Sequence, residues 1–196
     1  FYYRLDQANG TAAADSSGNN FAAMYVNGVL LGQPGALVNN ANTAVLLDGT
    51  NDHLDLPDGF SSFPSGFTFE FWAYPTTASN YQRFLDLGNG QANNNILIYR
   101  RSTSTDLSVR VYDGATAGAE VTASGVLELN RWQHFAVTQD ETGLVRIYKN
   151  GVQLGSGQTT VPNNVVRTSN FIGRPNWPSE TYFAGGQAVD ARLTDL

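Results

Sequence analysis

The chain contains no cysteine, so disulfides and thiolate metal centres are excluded and the redox compartment stays open. Charge is also scarce: 14% of the 196 residues are charged, against about 25% in an average soluble domain. Lysine occurs once, at Lys149, and the remaining basic residues leave a net charge of -6 with a pI near 4.7. No basic stripe offers counterion release, which argues against a nucleic-acid partner. Apolar runs stay well short of the roughly 18 residues of a membrane-spanning helix. Nor does any window hold a 3.6-residue period, so amphipathic helices are not expected. An initiator methionine and a leader-like opening are missing too. Phe1 to Leu5 reads as a strand entered directly and the chain stops at Leu196, so we expect a single domain, 1–196, excised from a longer polypeptide.

About a quarter of the chain is Ser, Thr or Asn, giving a polar surface that is mostly uncharged and suits a secreted or cell-surface setting. The most legible stretch runs from Arg131 to Leu154. Phe135 and Val137 alternate with polar neighbours, and Asp140 to Gly143 supplies a turn. Asn150-Gly151 is a type I′ hairpin signal, because both central residues need positive φ. That hairpin predicts Lys149 opposite Val152 and Ile147 opposite Leu154, with the apolar residues on one face. Further strands are expected at Tyr2–Leu5, Ala44–Leu47, His53–Leu56, Phe67–Tyr74, Arg83–Leu87, Ile96–Arg100, Leu107–Tyr112, Glu120–Ala123, Asn170–Gly173 and Ala188–Leu193. Clusters of Asn, Gly, Ser and Asp separate them. A dozen short strands without helices predict an all-β fold, a two-sheet antiparallel jelly-roll sandwich.

Five segments, in order, carry a resemblance: Tyr3-Arg-Leu-Asp6 with Asp15-Ser-Ser-Gly-Asn19; Leu47-Asp-Gly-Thr-Asn-Asp-His-Leu-Asp-Leu-Pro57; Gly66-Phe-Thr-Phe-Glu-Phe-Trp-Ala-Tyr-Pro75; Arg131-Trp-Gln-His-Phe-Ala-Val137 with Ile147-Tyr-Lys-Asn-Gly-Val152; and Ile172-Gly-Arg174 with Tyr182-Phe-Ala-Gly185 and Asp190-Ala-Arg192. Together they resemble the LamG-like jelly rolls of the concanavalin A-like lectin/glucanase superfamily. Gly185-Gly186 departs from that pattern by one extra residue. The resemblance implies two sheets, a concave face and rim loops that bind sugars or protein surfaces. It also admits hydrolases and lyases, so the carboxylates need inspection.

A retaining glycosidase needs two carboxylates about 5 Å apart. The chain has five Glu, none with a spaced carboxylate partner on a credible strand, and Asp52 and Asp55 should face opposite sides of theirs. No catalytic residue is therefore assigned. Trp72, Trp132 and His134 are expected in the core, and His53 exposed near a turn. The loop Asn89 to Asn95 resembles the pentraxin segment that holds calcium, with a second such position after Ile172-Gly173. Here that position offers Arg, Pro, Asn and Trp, which suits sugar better than a cation. The expected ligand-binding set is Tyr81, Asn93, Asn94, Asn95, Arg100, Arg174, Asn176 and Trp177. The alternatives are a solvated turn for the three Asn and, for Trp177, packing between Pro175 and Pro178. A structural calcium ion held by Asp15, Asn19 and Asp190 is a separate expectation, against an Asx turn at Asp15. The function expected is that of a non-catalytic glycan- or protein-binding module, monomeric within a larger bacterial chain. A spacer domain without its own ligand is the alternative.

Overall fold

The computed structural model describes residues 1–177 and 191–194. Its strands are β1 (Ala12–Ala13), β2 (Ala23–Val26), β3 (Leu30–Pro34), β4 (Thr43–Leu46), β5 (His53–Leu56), β6 (Phe67–Pro75), β7 (Arg83–Gly88) and β8 (Ile96–Arg100), followed by β9 (Leu107–Asp113), β10 (Thr116–Ala117), β11 (Val121–Ala123), β12 (Gln133–Gln139), β13 (Leu144–Lys149), β14 (Val152–Gln158), β15 (Ser169–Ile172) and β16 (Ala191–Thr194). They form a nine-stranded sheet, β1-β2-β5-β15-β7-β8-β9-β10 with β11 also paired to β9, and a seven-stranded sheet, β14-β13-β12-β6-β16-β4-β3. Every pairing among the described strands is antiparallel, as the jelly-roll expectation requires.

The two-residue period decides what lies between the sheets. On β6 and β12, Phe71 and Phe135 are register partners with ring centroids 5.8 Å apart, and Phe84 of the opposite sheet stacks on Phe71 at 5.2 Å. Each ring buried this way contributes roughly 1.5–3 kcal/mol. The same alternation turns Trp72, Tyr74, Trp132 and His134 outward. Trp72 and Trp132 are only half-buried there, Trp72 against His134 and Trp132 against Tyr74. Their expected place in the core is corrected: position on the pleat overrides the apolar character of the residue.

The meander forms as expected, with Asn150 and Gly151 both at positive φ and the Asn150 side chain accepting from the His134 amide at 2.9 Å. Lys149 pairs with Val152, but a bulge between Ile147 and Tyr148 sets Ile147 opposite Gly155 rather than Leu154. Leu154 is consequently exposed, and Val152, at the hairpin end of the edge strand β14, is exposed as well. The reason is space: a Cβ on Gly155 would stand 3.0 Å from both the Ala123 Cβ and the Thr122 carbonyl oxygen of β11. The bulge brings a glycine to the place where the two sheets come closest.

Tyr2–Leu5 does not form a strand. It makes one isolated bridge, Tyr3 to Asp15, and Leu5 has a positive φ; Tyr3 and Leu5 are nonetheless fully buried. His53 is likewise buried rather than exposed. It lies 4% exposed under Phe171, with a ring nitrogen 2.9 Å from the Asn51 carbonyl oxygen. The alternation that buries Leu54 and Leu56 sends His53 to the opposite face, where neighbouring strands cover it. Glu180 and the Tyr182–Gly186 segment fall outside the described residues.

Candidate ligand-binding site

A bulge in β7 shapes the outer face of the nine-stranded sheet. Arg83 pairs with Tyr99 of β8, yet Leu85 pairs with Ile98, so Phe84 is the extra residue. Residues three apart on a regular strand face opposite ways; here Arg83 and Asp86 share the solvent-side face, with Nε 3.8 Å from Oδ2. Register adds Leu97 and Arg110 beside Asp86, and Ser108 beside Tyr99. The result is a pocket of about 250 Å³ lined by Tyr81, Arg83, Leu97, Tyr99, Arg110, Tyr112, Glu120 and Trp177.

Arg83 lies deep in this pocket, 7% exposed, its guanidinium 4.8 Å from the Tyr99 ring and 5.3 Å from that of Trp177. Trp177 also packs edge-on to Tyr112 at 6.0 Å and remains half-buried, while Tyr81 at the rim is 37% exposed. On the far wall, Glu120 accepts from Ser108, from Arg110 at 2.9 Å and from Arg101 at 2.9 Å. Burial, and then the charge of Glu120, pushes the Tyr99 phenol upward, so it stays a donor.

Asp86 ties the two expected rim loops together. Its carboxylate is fully buried and accepts from the Asn176 amide at 2.8 Å, the Asn176 side chain at 2.9 Å and the Asn95 side chain at 2.8 Å. Burial raises its pKa, opposed by Arg83 and these three donors. The loops with pentraxin-like positions do converge on a carboxylate. Their asparagines, however, present N–H donors to it, where a cation site needs oxygens.

Asn95, Arg100 and Asn176 are therefore buried supports rather than ligand groups. Arg100 is fully buried, donating to the Gln82 side chain at 2.8 Å and to the carbonyl oxygens of Ser104 and Thr77. Asn94 is half-buried and bonded to Gly114, Asn163 and Asn93, so of the three Asn only Asn93 is exposed. Arg174 is directed to Phe171, 4.5 Å away, and to the His53 ring at 3.3 Å, and does not line the pocket. Tyr81 and Trp177 are the expected ligand residues that the pocket brings together. Arg83, Tyr99, Arg110, Tyr112 and Glu120 were not anticipated. Tyr99, Arg110 and Tyr112 carried a signal, since each alternates with a core residue, Ile98, Val109 or Val111.

At the other expected site, both Asp15 carboxylate oxygens are engaged by donors: the amides of Tyr2, Ser17 and Phe21 and the Ser17 hydroxyl, at 2.8–3.1 Å. Desolvation would raise its pKa, but these bonds outweigh it and hold the group well below the ordinary range. Four donors fill the roughly four lone-pair positions of a carboxylate, so the geometry is that of an Asx turn and does not fit a calcium ion. Asn19 is exposed and bonded to Ser17, and Asp190 lies outside the described residues. No group of three or more His, Asp or Glu able to hold a metal occurs among the described residues.

The family model described as the concanavalin A-like lectin/glucanases superfamily matches residues 48–191. No curated protein sequence matches the chain significantly. Among solved structures it is similar to domain 4 of AbnA, an extracellular arabinanase from Geobacillus stearothermophilus in complex with arabinotriose. The TM-score is 0.65 at 19% identity, covering 99% of this chain and 90% of that one. It is also similar to a CBM40 of a Ruminococcus gnavus sialidase bound to alpha2,3 sialyllactose (TM-score 0.53, 10% identity, 72% and 87% coverage). A third is the ligand-binding domain of botulinum neurotoxin serotype D in complex with N-acetylneuraminic acid (TM-score 0.66, 13% identity, 99% and 45% coverage). The chain spans about half the length of several of the solved chains it matches.

Proposed function

The chain belongs to the concanavalin A-like lectin/glucanases superfamily, and from that premise we propose that it is a non-catalytic carbohydrate-binding module acting through the pocket on its nine-stranded sheet. The observation that carries this reading is the combination of open aromatic rings with a deep guanidinium in one depression of about 250 Å³. A sugar presents one apolar C–H face and a rim of hydroxyls. Trp177 and Tyr81 supply rings for the face, each worth about 0.5–1.5 kcal/mol beyond area burial by comparison with aromatic pairs. Arg83, Tyr112 and the Trp177 indole supply donors for the hydroxyls. Solved structures of similar fold in complex with arabinotriose, sialyllactose and N-acetylneuraminic acid support the same class of ligand.

Hydrolysis finds no support in the carboxylate that lines the pocket or in the one beneath it. Asp86 is sealed beneath the surface and saturated by amide donors, and Glu120 is held by two arginines. A ligand-free spacer would leave this face without accessible aromatic or arginine groups, contrary to the exposure of Tyr81. The lysine-poor acidic composition favours a secreted or surface-displayed protein in which the module is monomeric and affinity is raised by repetition. A glycan array probed with wild type and Trp177→Ala tests the function. We expect selective binding that falls about tenfold, or 1.4 kcal/mol, in the variant. Absence of any binding at high protein concentration would sink the reading.

A further inference from the structure

The pocket's charge runs against that of the molecule. In a chain of net charge -6, the pocket is lined by two guanidiniums, Arg83 and Arg110, and one carboxylate, Glu120, with Asp86 beneath its floor. Because Asp86 is fully buried and spends its oxygens on three amide donors, a ligand entering the pocket meets more positive charge than negative. A cationic ligand is excluded on that ground, although four aromatic side chains could otherwise cage one.

Arg83 also has donors left over. Its Nη1 bonds the Tyr81 carbonyl oxygen at 3.0 Å. Its Nε, 3.8 Å from Asp86, is buried without a hydrogen bond, and its Nη2 donates to no described residue. Tyr99 and Trp177 lie 4.8 and 5.3 Å from this guanidinium. With Nε turned inward toward Asp86 and Nη1 bonded to Tyr81, the Nη2 donors are left for recognition, and the partner that best matches a cationic planar N–H group is an oxyanion such as a carboxylate. The hydroxyl of a neutral sugar would use one Nη2 donor, whereas a carboxylate can take both.

We propose that the glycan bound here carries a carboxylate, as a uronic or sialic acid residue does, and that this carboxylate is received by Arg83 Nη2 with Arg110 as the second cation. The proposal rests on the carbohydrate-binding reading and adds its chemical class. Trp177 and Tyr81 bind the ring irrespective of charge, whereas Arg83 reads the acid.

Isothermal titration at fixed ionic strength separates these roles. The probes are sialyllactose against lactose, oligogalacturonate against its methyl ester, and a sulfated disaccharide, each with wild type, Arg83→Lys and Trp177→Ala. At least one acidic sugar should bind about tenfold tighter than its neutral counterpart. Arg83→Lys keeps the charge but loses the planar edge, and should bring that ratio close to one. Trp177→Ala should weaken both members alike. In wild type, the Arg83 Nε–H and Trp177 indole resonances should shift when the acidic sugar is added, a readout that does not depend on how well a variant folds. Equal binding of acidic and neutral members, preference for the sulfated sugar, or an unmoved Arg83 resonance would overturn the carboxylate assignment while leaving the module a lectin. Failure of every sugar, acidic or neutral, would remove both readings.

Discussion

A loop asparagine and a strand arginine look the same in sequence whether they greet a ligand or hold the scaffold. Asn95, Arg100 and Asn176 were placed at the rim for their donors and turn out to spend those donors inside, on Asp86 and on loop carbonyls. Only burial separates the two roles, and burial depends on strands distant in sequence. His53 makes the same point. Desolvation is the main cause that lowers its pKa, with Arg174 adding to it against the pull of the Asn51 carbonyl. Between the folded and the ordinary value near 6.5 the unfolded chain binds the extra proton. The contribution of neutral His53 is therefore complete above pH 6.5 and is lost as pH falls below it. Thermal melts from pH 7.5 to 5.5 should show a decline that His53→Gln flattens. An equal slope in both proteins would contradict this account of His53.

At the level of elements, alternation recovered β5 to β9, the meander and most of β15, because each couples an apolar face to turn residues. It failed where that coupling is weak. Tyr2 to Leu5 has the right residues but only a single bridge, and β1 to β3 are too short or too rich in Ala and Gly to announce themselves. Bulges are the other blind spot, since they insert one residue without a sequence mark. The bulge in β13–β14 makes a sharp prediction: Gly155→Val should destabilise the domain by about 1–3 kcal/mol, because its side chain must enter backbone space beside Thr122 and Ala123. Urea denaturation measures it, and a wild-type midpoint would mean that the two sheets part more easily at that edge than their spacing implies. The bulge in β7 is the more consequential one, since it sets Arg83 on the same face as Asp86 and so creates the candidate site.

For the molecule as a whole, composition and strand spacing were enough for the two-sheet architecture, and five short motifs were enough for the superfamily. The pocket was half legible: Tyr81 and Trp177 came from the loops, whereas its floor comes from the outer faces of β7, β8 and β9 and its far wall from Glu120 just before β11, which are assembled only by long-range pairing. One piece of that pairing is β15, which lies between β5 and β7 although it follows β7 by some eighty residues. Until Ser169–Ile172 has been made, β5 and β7 face each other across an empty lane, each with an unpaired edge. The order of synthesis therefore delays closure of the sheet, and with it the pocket, until the chain has passed β15. Ribosome-arrested chains ending before residue 165 should stay open to protease while the released protein resists it. A sheet built this way emerges tethered and unfinished and acquires its recognition surface only when β15 joins β5 to β7.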